Sequence, residues 1–122
     1  MRLTANTDRK RRQAVEAELR LAGERLAAGS ADTAFRHLER AHVLSQTHTR
    51  LHVRTHWVML RWAWQQRDAR EFFGQSIRIA AAGVFSRIWV PLGNTGGARV
   101  SATKPMAIPA DLAALLASFE AK

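Results

Sequence analysis

The sequence predicts an all-α domain: antiparallel helical hairpins stacked on one another, a Gly/Pro-rich loop, and a C-terminal helix packing back. Two observations lead there. Apolar residues recur at three- and four-residue spacing through four successive segments before residue 85, the mark of amphipathic helices. Between them Gly29-Ser30, Gln46-Thr47 and Arg67-Asp68 leave only short connections, and helices joined by short connections lie antiparallel as neighbours.

The first helix is expected from about Asp8 to Ala28, with Val15, Leu19, Ala22 and Leu26 on one stripe, Thr7 or Asp8 as cap and Gly29 as stop. Ser30 opens the second, about Ala31 to Gln46, whose stripe is Ala34, Phe35, Leu38 and Ala41, continued by His42 and Ser45. The third starts near Thr47 or Thr49 and reaches about Gln66. Leu51, Thr55, Met59 and Trp62 share one side; Val53, Trp57, Leu60 and Trp64 share another, and a helix apolar on two sides is expected between neighbours. Asp68 caps the fourth, with Phe72, Phe73, Ile77 and Ala80 as expected buried positions. The segments AAGSADTAFRHLERA and QQRDAREFFGQSIRI, about 36 residues apart, each combine a turn, an acidic cap, a small residue and an apolar-studded helix. That period gives the stacking a tetratricopeptide-like character, although the signature Trp, Gly, Tyr and Pro positions of such repeats are largely missing.

Beyond residue 85 the composition changes. PLGNTGGARVS reads as a loop or short hairpin, and KPMAIP stays extended because of Pro105 and Pro109. Pro109 suits the first turn of a closing helix, Ala110 to Glu120, whose apolar face is Leu112, Leu115, Leu116 and Phe119. Residues 1–122 thus form one domain: a four-helix core over 8–85, the loop over 86–108 and the last helix over 109–121.

Composition narrows the classes. At 122 residues and 47% hydrophobic the chain suits a single folded globule. It has no cysteine, hence no disulfide, thiolate ligand or cysteine nucleophile, which fits a reducing compartment. No apolar run approaches the roughly 20 residues of a membrane span, and the start, MRLTANTDRKRR, lacks the apolar segment of a secretory signal, so the expected location is cytoplasmic. The net charge of +9 suits a solvated basic surface or an acidic partner. Arg9-Lys10-Arg11-Arg12 opposes the helix dipole at an N-terminus, so it is not there to stabilise its own helix.

All five histidines fall between His37 and His56. In HTRLHVRTH, three of them repeat every fourth residue and share one stripe. Folding the second and third helices as a hairpin about Gln46 brings His42 near the level of His52 and His37 near that of His56. His37 and His42 stand about 140° apart around their helix and so do not face one ion together. The eight residues from His48 to His56 span about 12 Å, so one ion takes two neighbours from that stripe, not three. The most economical metal site is His48 with His52, or His52 with His56, joined by His42 and by Glu39, which precedes His42 by three residues. Nitrogen and oxygen donors of this kind suit zinc, copper, nickel or iron. The same stripe borders the core, and histidines there equally serve as hydrogen-bonding groups across a helix interface. A dinuclear carboxylate site is poorly supported by ten acidic residues in all.

Other features are weaker. GNTGGARVS, with Asn94, Thr95 and Arg99, has the backbone amides to cradle an anion or a partner, but it lacks the ending of a phosphate loop. Trp57, Trp62 and Trp64 interleave with Arg50, Arg54 and Arg61, a pattern shared by single-strand nucleic-acid binders and by core tryptophans covered with arginine; the core reading is preferred. No residues are assigned to catalysis, and the sequence leans away from an enzyme.

FRHLERAHVLSQTHTRLHVRTHWVMLRWAWQQRD, VPLGNTGGARVS and KPMAIPADLAALL, in that order, resemble a small bacterial family of uncharacterised proteins described only as a domain of unknown function. The resemblance covers nearly the whole chain from about Ala14. It implies a setting near heavy-metal resistance and efflux genes, and it places GNTGG within the family pattern. The leading expectation is therefore a cytoplasmic metal-binding accessory protein. The alternative is an interaction module with a basic groove for an acidic peptide or protein; nucleic-acid binding ranks third.

Overall fold

The structure, a computed structural model, describes residues 2–85, 91–101 and 103–121. Among these the chain forms five α-helices and no strand: α1 (Arg2–Ala27), α2 (Ala31–Ser45), α3 (Thr49–Gln65), α4 (Ala69–Phe85) and α5 (Ala110–Glu120). Residues 91–101 and 103–109 are irregular, and 86–90 and 102, also part of the expected loop, lie outside the described residues.

Short turns fold the helices back on one another. α1 packs along α2 and α3 along α4; α2 against α3 joins the pairs, and α5 rests on α1 and α2. Gly29 ends α1 at φ 81°, a left-handed conformation that lets Ser30 N donate to Arg25 O at 2.9 Å. Asp68 caps α4, its Oδ1 accepting from Glu71 N at 3.0 Å. The core centres on Val15, Ala41, Leu44, Leu51, Leu112 and Phe119, with a second cluster of Ala22, Leu38 and Met59. Trp62 closes that cluster by stacking on Phe35, ring centroids 4.4 Å apart, while its indole donates to Ala31 O.

Three expectations are corrected. α1 starts at Arg2, not near Asp8, because Thr7 is not a cap: its hydroxyl donates to Phe119 O at 2.8 Å and ties α1 to the end of α5. The basic run beside it serves other helices. Arg11 is buried, donates to Leu44 O near the end of α2 at 2.9 Å and lies over the Phe119 ring, and Lys10 donates to Ser118 O. Cationic donors thus satisfy carbonyls at the negative ends of two helices.

On α4 the expected polarity is reversed. Phe73 and Ile77 are 66% and 72% exposed, whereas Glu71 and Gln75 are buried. The inward face of α4 meets a loop rich in backbone polar groups rather than an apolar neighbour, and such groups need partners when buried. On α3, Trp57 and Trp64 are likewise exposed, so only Trp62 of the three expected core tryptophans packs inward.

Leu44 is fully buried, so Leu44→Ala should cost about 2–5 kcal/mol of unfolding free energy in urea. Ile77→Ala, on the open face of α4, should change stability by no more than about 0.5 kcal/mol.

Candidate metal centre

The seam between α2 and α3 is polar. Small hydroxyls, Ser45 on α2 and Thr55 on α3, meet at 3.3 Å and are fully buried, which lets the two helices approach closely. One turn away on the same seam stand His42 from α2 and His52 and His56 from α3, all buried. Their Nε2 atoms converge: His52 to His42 at 2.9 Å, His42 to His56 at 3.1 Å and His56 to His52 at 3.2 Å. Among the described residues these three form the group of donors spaced to hold a metal ion, with ligand atoms within 4.8 Å of one another.

The outer nitrogens decide what the inner ones present. His42 Nδ1–H donates to the Asn94 carbonyl at 2.8 Å, an acceptor only. His56 Nδ1 faces Gln75 Oε1 at 2.5 Å. The orientation of that amide is set by its other end, where Nε2 donates to Glu71 Oε1 at 2.6 Å and to Gly96 O at 2.7 Å. Both are acceptors, so the Gln75 oxygen must face His56 and the His56 proton sits on Nδ1. In neutral rings this leaves Nε2 of both His42 and His56 as bare lone pairs, aimed at each other. Only His52 can place a proton between them, and its own Nδ1 is buried without a hydrogen-bond partner among the described residues.

Burial keeps these rings neutral. His42 is held well below the ordinary histidine range by burial first, then by the neighbouring His56 and His52. Burial, then His56, lowers His52 to about 3; burial lowers His56 to about 4, with the Gln75 hydrogen bond opposing it and Arg78 adding to it.

The loop is built onto this cluster. Gly96, at φ 82°, lies flat on His42: a Cβ there would stand 2.5 Å from Cδ2 and 2.8 Å from Nε2 of the ring. Asn94 is buried, and its amide donates to Ser101 O and Lys104 O while its oxygen accepts from Gly96 N. Gln46, the C-cap of α2, grips the loop, donating to Pro91 O and accepting from Gly93 N. From α4, Glu71 accepts from Ala98 N with both oxygens and Arg78 donates to Val100 O.

Of the residues singled out in the sequence, the structure brings His42, His52 and His56 together. It does not bring His48 or Glu39 to them. His48 is the N-cap of α3, its Nδ1 accepting from Leu51 N. Glu39 lines a separate cleft with Trp62, Glu71 and Arg99, where burial and the neighbouring Glu71 raise its pKa. His37 pairs with Glu18 at 2.7 Å. In the loop, Asn94 spends its side chain on the loop itself, Arg99 pairs with Asp68 at 3.2 Å, and Thr95 borders the cleft that holds Glu39. The sequence reading passed over Gln75, Glu71, Gln46 and Gly96. The four-residue spacing of Glu71 and Gln75, a polar stripe on a helix otherwise taken as apolar inward, was the available signal.

A family model described as "Protein of unknown function (DUF3703)" matches residues 9–116. No curated protein and no solved structure matches the chain.

The neutral rings make stability pH-dependent in a defined sense. The unfolded chain protonates its histidines near 6.5, whereas His56 and His52 in the fold resist protonation down to about 4 and about 3. Their contribution is full above about pH 6.5 and is lost as pH falls toward those values, because the unfolded state binds more protons in that window. Chelator-treated protein should therefore show a melting temperature that falls as pH drops from about 6.5 to about 4.5, each such group contributing up to about 1.4 kcal/mol per pH unit. His52→Asn should flatten the slope; a wild-type profile level across that range would contradict the assignment.

Proposed function

The chain belongs to that family of proteins of unknown function, and we propose that it is a cytoplasmic accessory protein binding one transition-metal ion through His42, His52 and His56, in the setting of heavy-metal resistance. The observation that supports this reading is the convergence of three Nε2 atoms within 3.2 Å, two of them fixed as lone pairs by acceptors on their outer nitrogens. Without an ion, facing lone pairs repel one another in a site that water cannot screen. With an ion, each becomes a ligand. Nitrogens bound at 2.0–2.1 Å to a tetrahedral ion stand about 3.3 Å apart, so the cluster needs to open by only a few tenths of an ångström. The Asn94 carbonyl and Gln75 then play the part that orienting partners play behind metal-bound histidines. Imidazole nitrogens suit zinc, copper, nickel and iron. The rings are 3%, 6% and 2% exposed, which favours holding an ion over presenting it to a substrate.

Titrating zinc, copper and nickel into the metal-free protein by calorimetry should give saturable binding of one ion per chain at micromolar concentration or tighter. His52→Ala should remove most of that affinity, and Gln75→Leu should weaken it by about 10–100-fold. Glu39→Gln and His48→Asn should leave it unchanged. No saturable binding of any of these ions would dispose of the reading.

The open face of α3 and α4 favours a second reading, an interaction module. Trp64, Phe72, Phe73 and Arg67 line a surface cleft, and Trp57 and Ile77 stand exposed on the same two helices. An apolar surface with an arginine at its edge suits an acidic peptide bearing apolar side chains, docked on a tetratricopeptide-like stack of hairpins. Under this reading Trp64→Ser with Phe73→Ser abolishes retention of an acidic partner peptide, and chelator has no effect. Retention unchanged by the double variant would remove it.

A further inference from the structure

The cluster also bears on the charge of the ion. Its three donors bind as neutral groups, and the chain contains no cysteine. No carboxylate joins the three histidines in the group of closely spaced donors among the described residues. Glu71 reaches the rings only through Gln75, and its oxygens are already engaged by Gln75 Nε2 and Ala98 N. Against it stands the half-buried Arg78, whose guanidinium charge disfavours positive charge on both His42 and His56 and is itself coupled to Glu71. Among the described residues Glu71 and Arg78 flank the cluster with opposite charges, so these neighbours bring it no net negative charge.

An ion placed there leaves water for a buried site, and the cost of that transfer grows with the square of its charge. A monovalent ion incurs about a quarter of the penalty of a divalent one of similar size. A buried divalent ion is compensated by thiolates or carboxylates, or, where three neutral histidines hold zinc, by a hydroxide bound at an open fourth position. Neither thiolate nor carboxylate is present among these ligands. Coordination number points the same way. Zinc held by three protein ligands completes its tetrahedron with water or substrate. Here the rings are almost fully covered, and Gly96 lies against His42 so closely that a methyl group would not fit. Copper(I) is monovalent, has a filled d shell and is satisfied by three nitrogen donors without a fourth ligand.

We propose that His42, His52 and His56 form a three-coordinate copper(I) site that selects the monovalent ion over zinc(II) and nickel(II). This rests on the metal-binding reading above and deepens it.

The test is anaerobic competition of the full chain against a chromophoric copper(I) chelator, alongside calorimetric titration with zinc(II) and nickel(II). The expected result is one copper(I) withdrawn per chain, at least 100-fold tighter than zinc(II), with X-ray absorption reporting three nitrogen neighbours. His52→Ala should return the copper to the chelator. Arg78→Gln, which removes the flanking positive charge, should raise zinc(II) affinity by a larger factor than copper(I) affinity. Zinc(II) or nickel(II) binding as tightly as copper(I), or a fourth light-atom neighbour on copper, would overturn the copper(I) assignment while leaving a metal site in place. Binding of none of the three ions would overturn the metal-binding reading itself.

Discussion

Because the Asn94 carbonyl and the Gln75 side-chain oxygen can only accept, the protons of His42 and His56 are held on their outer nitrogens. Everything distinctive about the interior follows from that constraint. Two lone pairs are left facing inward at 3.1 Å, with a third ring completing the triangle. An ordinary buried histidine finds one acceptor and one donor and is then silent. Here the outer donors of His42 and His56 are satisfied and their inner acceptors are set against one another, in surroundings that hold all three rings neutral. Such an arrangement carries an electrostatic cost, which a proton on His52 Nε2 relieves in part and a bound cation would relieve in full.

The same constraint explains the loop. An irregular segment packed into the interior must find partners for its amides and carbonyls. The side chains that supply them are Gln46 at the C-cap of α2 and Glu71, Gln75 and Arg78 from α4, with Asn94 bracing the turn from within. Gly96 is where loop and site touch: its carbonyl accepts from Gln75, and its lack of a side chain lets the backbone lie on the His42 ring. Loop, α4 and histidine cluster therefore form one hydrogen-bonded unit, and the orientation of the ligands depends on residues far from them in sequence.

That distance sets what was legible beforehand. Helix identity is local: period and stops located five helices, the start of α1 excepted, and α5 ran as expected from Ala110 to Glu120. The pairing of His42 with His52 was also legible, since the register of a hairpin follows from counting outward from its turn. The same count sets His56 beside His37, whereas the structure turns His56 to His42 and pairs His37 with Glu18. Which of the three striped histidines joins His42 was not, because His48 lies in the turn and is taken up as the cap of α3. Glu39 sits three residues from His42, but on a helix that separation turns a side chain about 60° aside, enough to send it into a different cleft. The contacts that lock the tautomers, 52 and 19 residues away in sequence, leave no local pattern.

The reversal on α4 ties these strands together. Period alone gives a helix two faces without saying which is inward, and apolar residues are assigned to the core because a core is usually apolar. When the neighbour is a polar loop over a histidine cluster, the helix turns Glu71 and Gln75 inward and leaves Phe73 and Ile77 to solvent. By area, burying two apolar side chains is worth about 1.5–3 kcal/mol each, so the exposed pair forgoes a stabilisation comparable to that of a substantial part of a small core. What the fold retains instead is a rigid set of acceptors and donors around three imidazoles. The sequence thus gives up apolar burial on the face of α4 that holds the orientation of His56 and of the loop over His42.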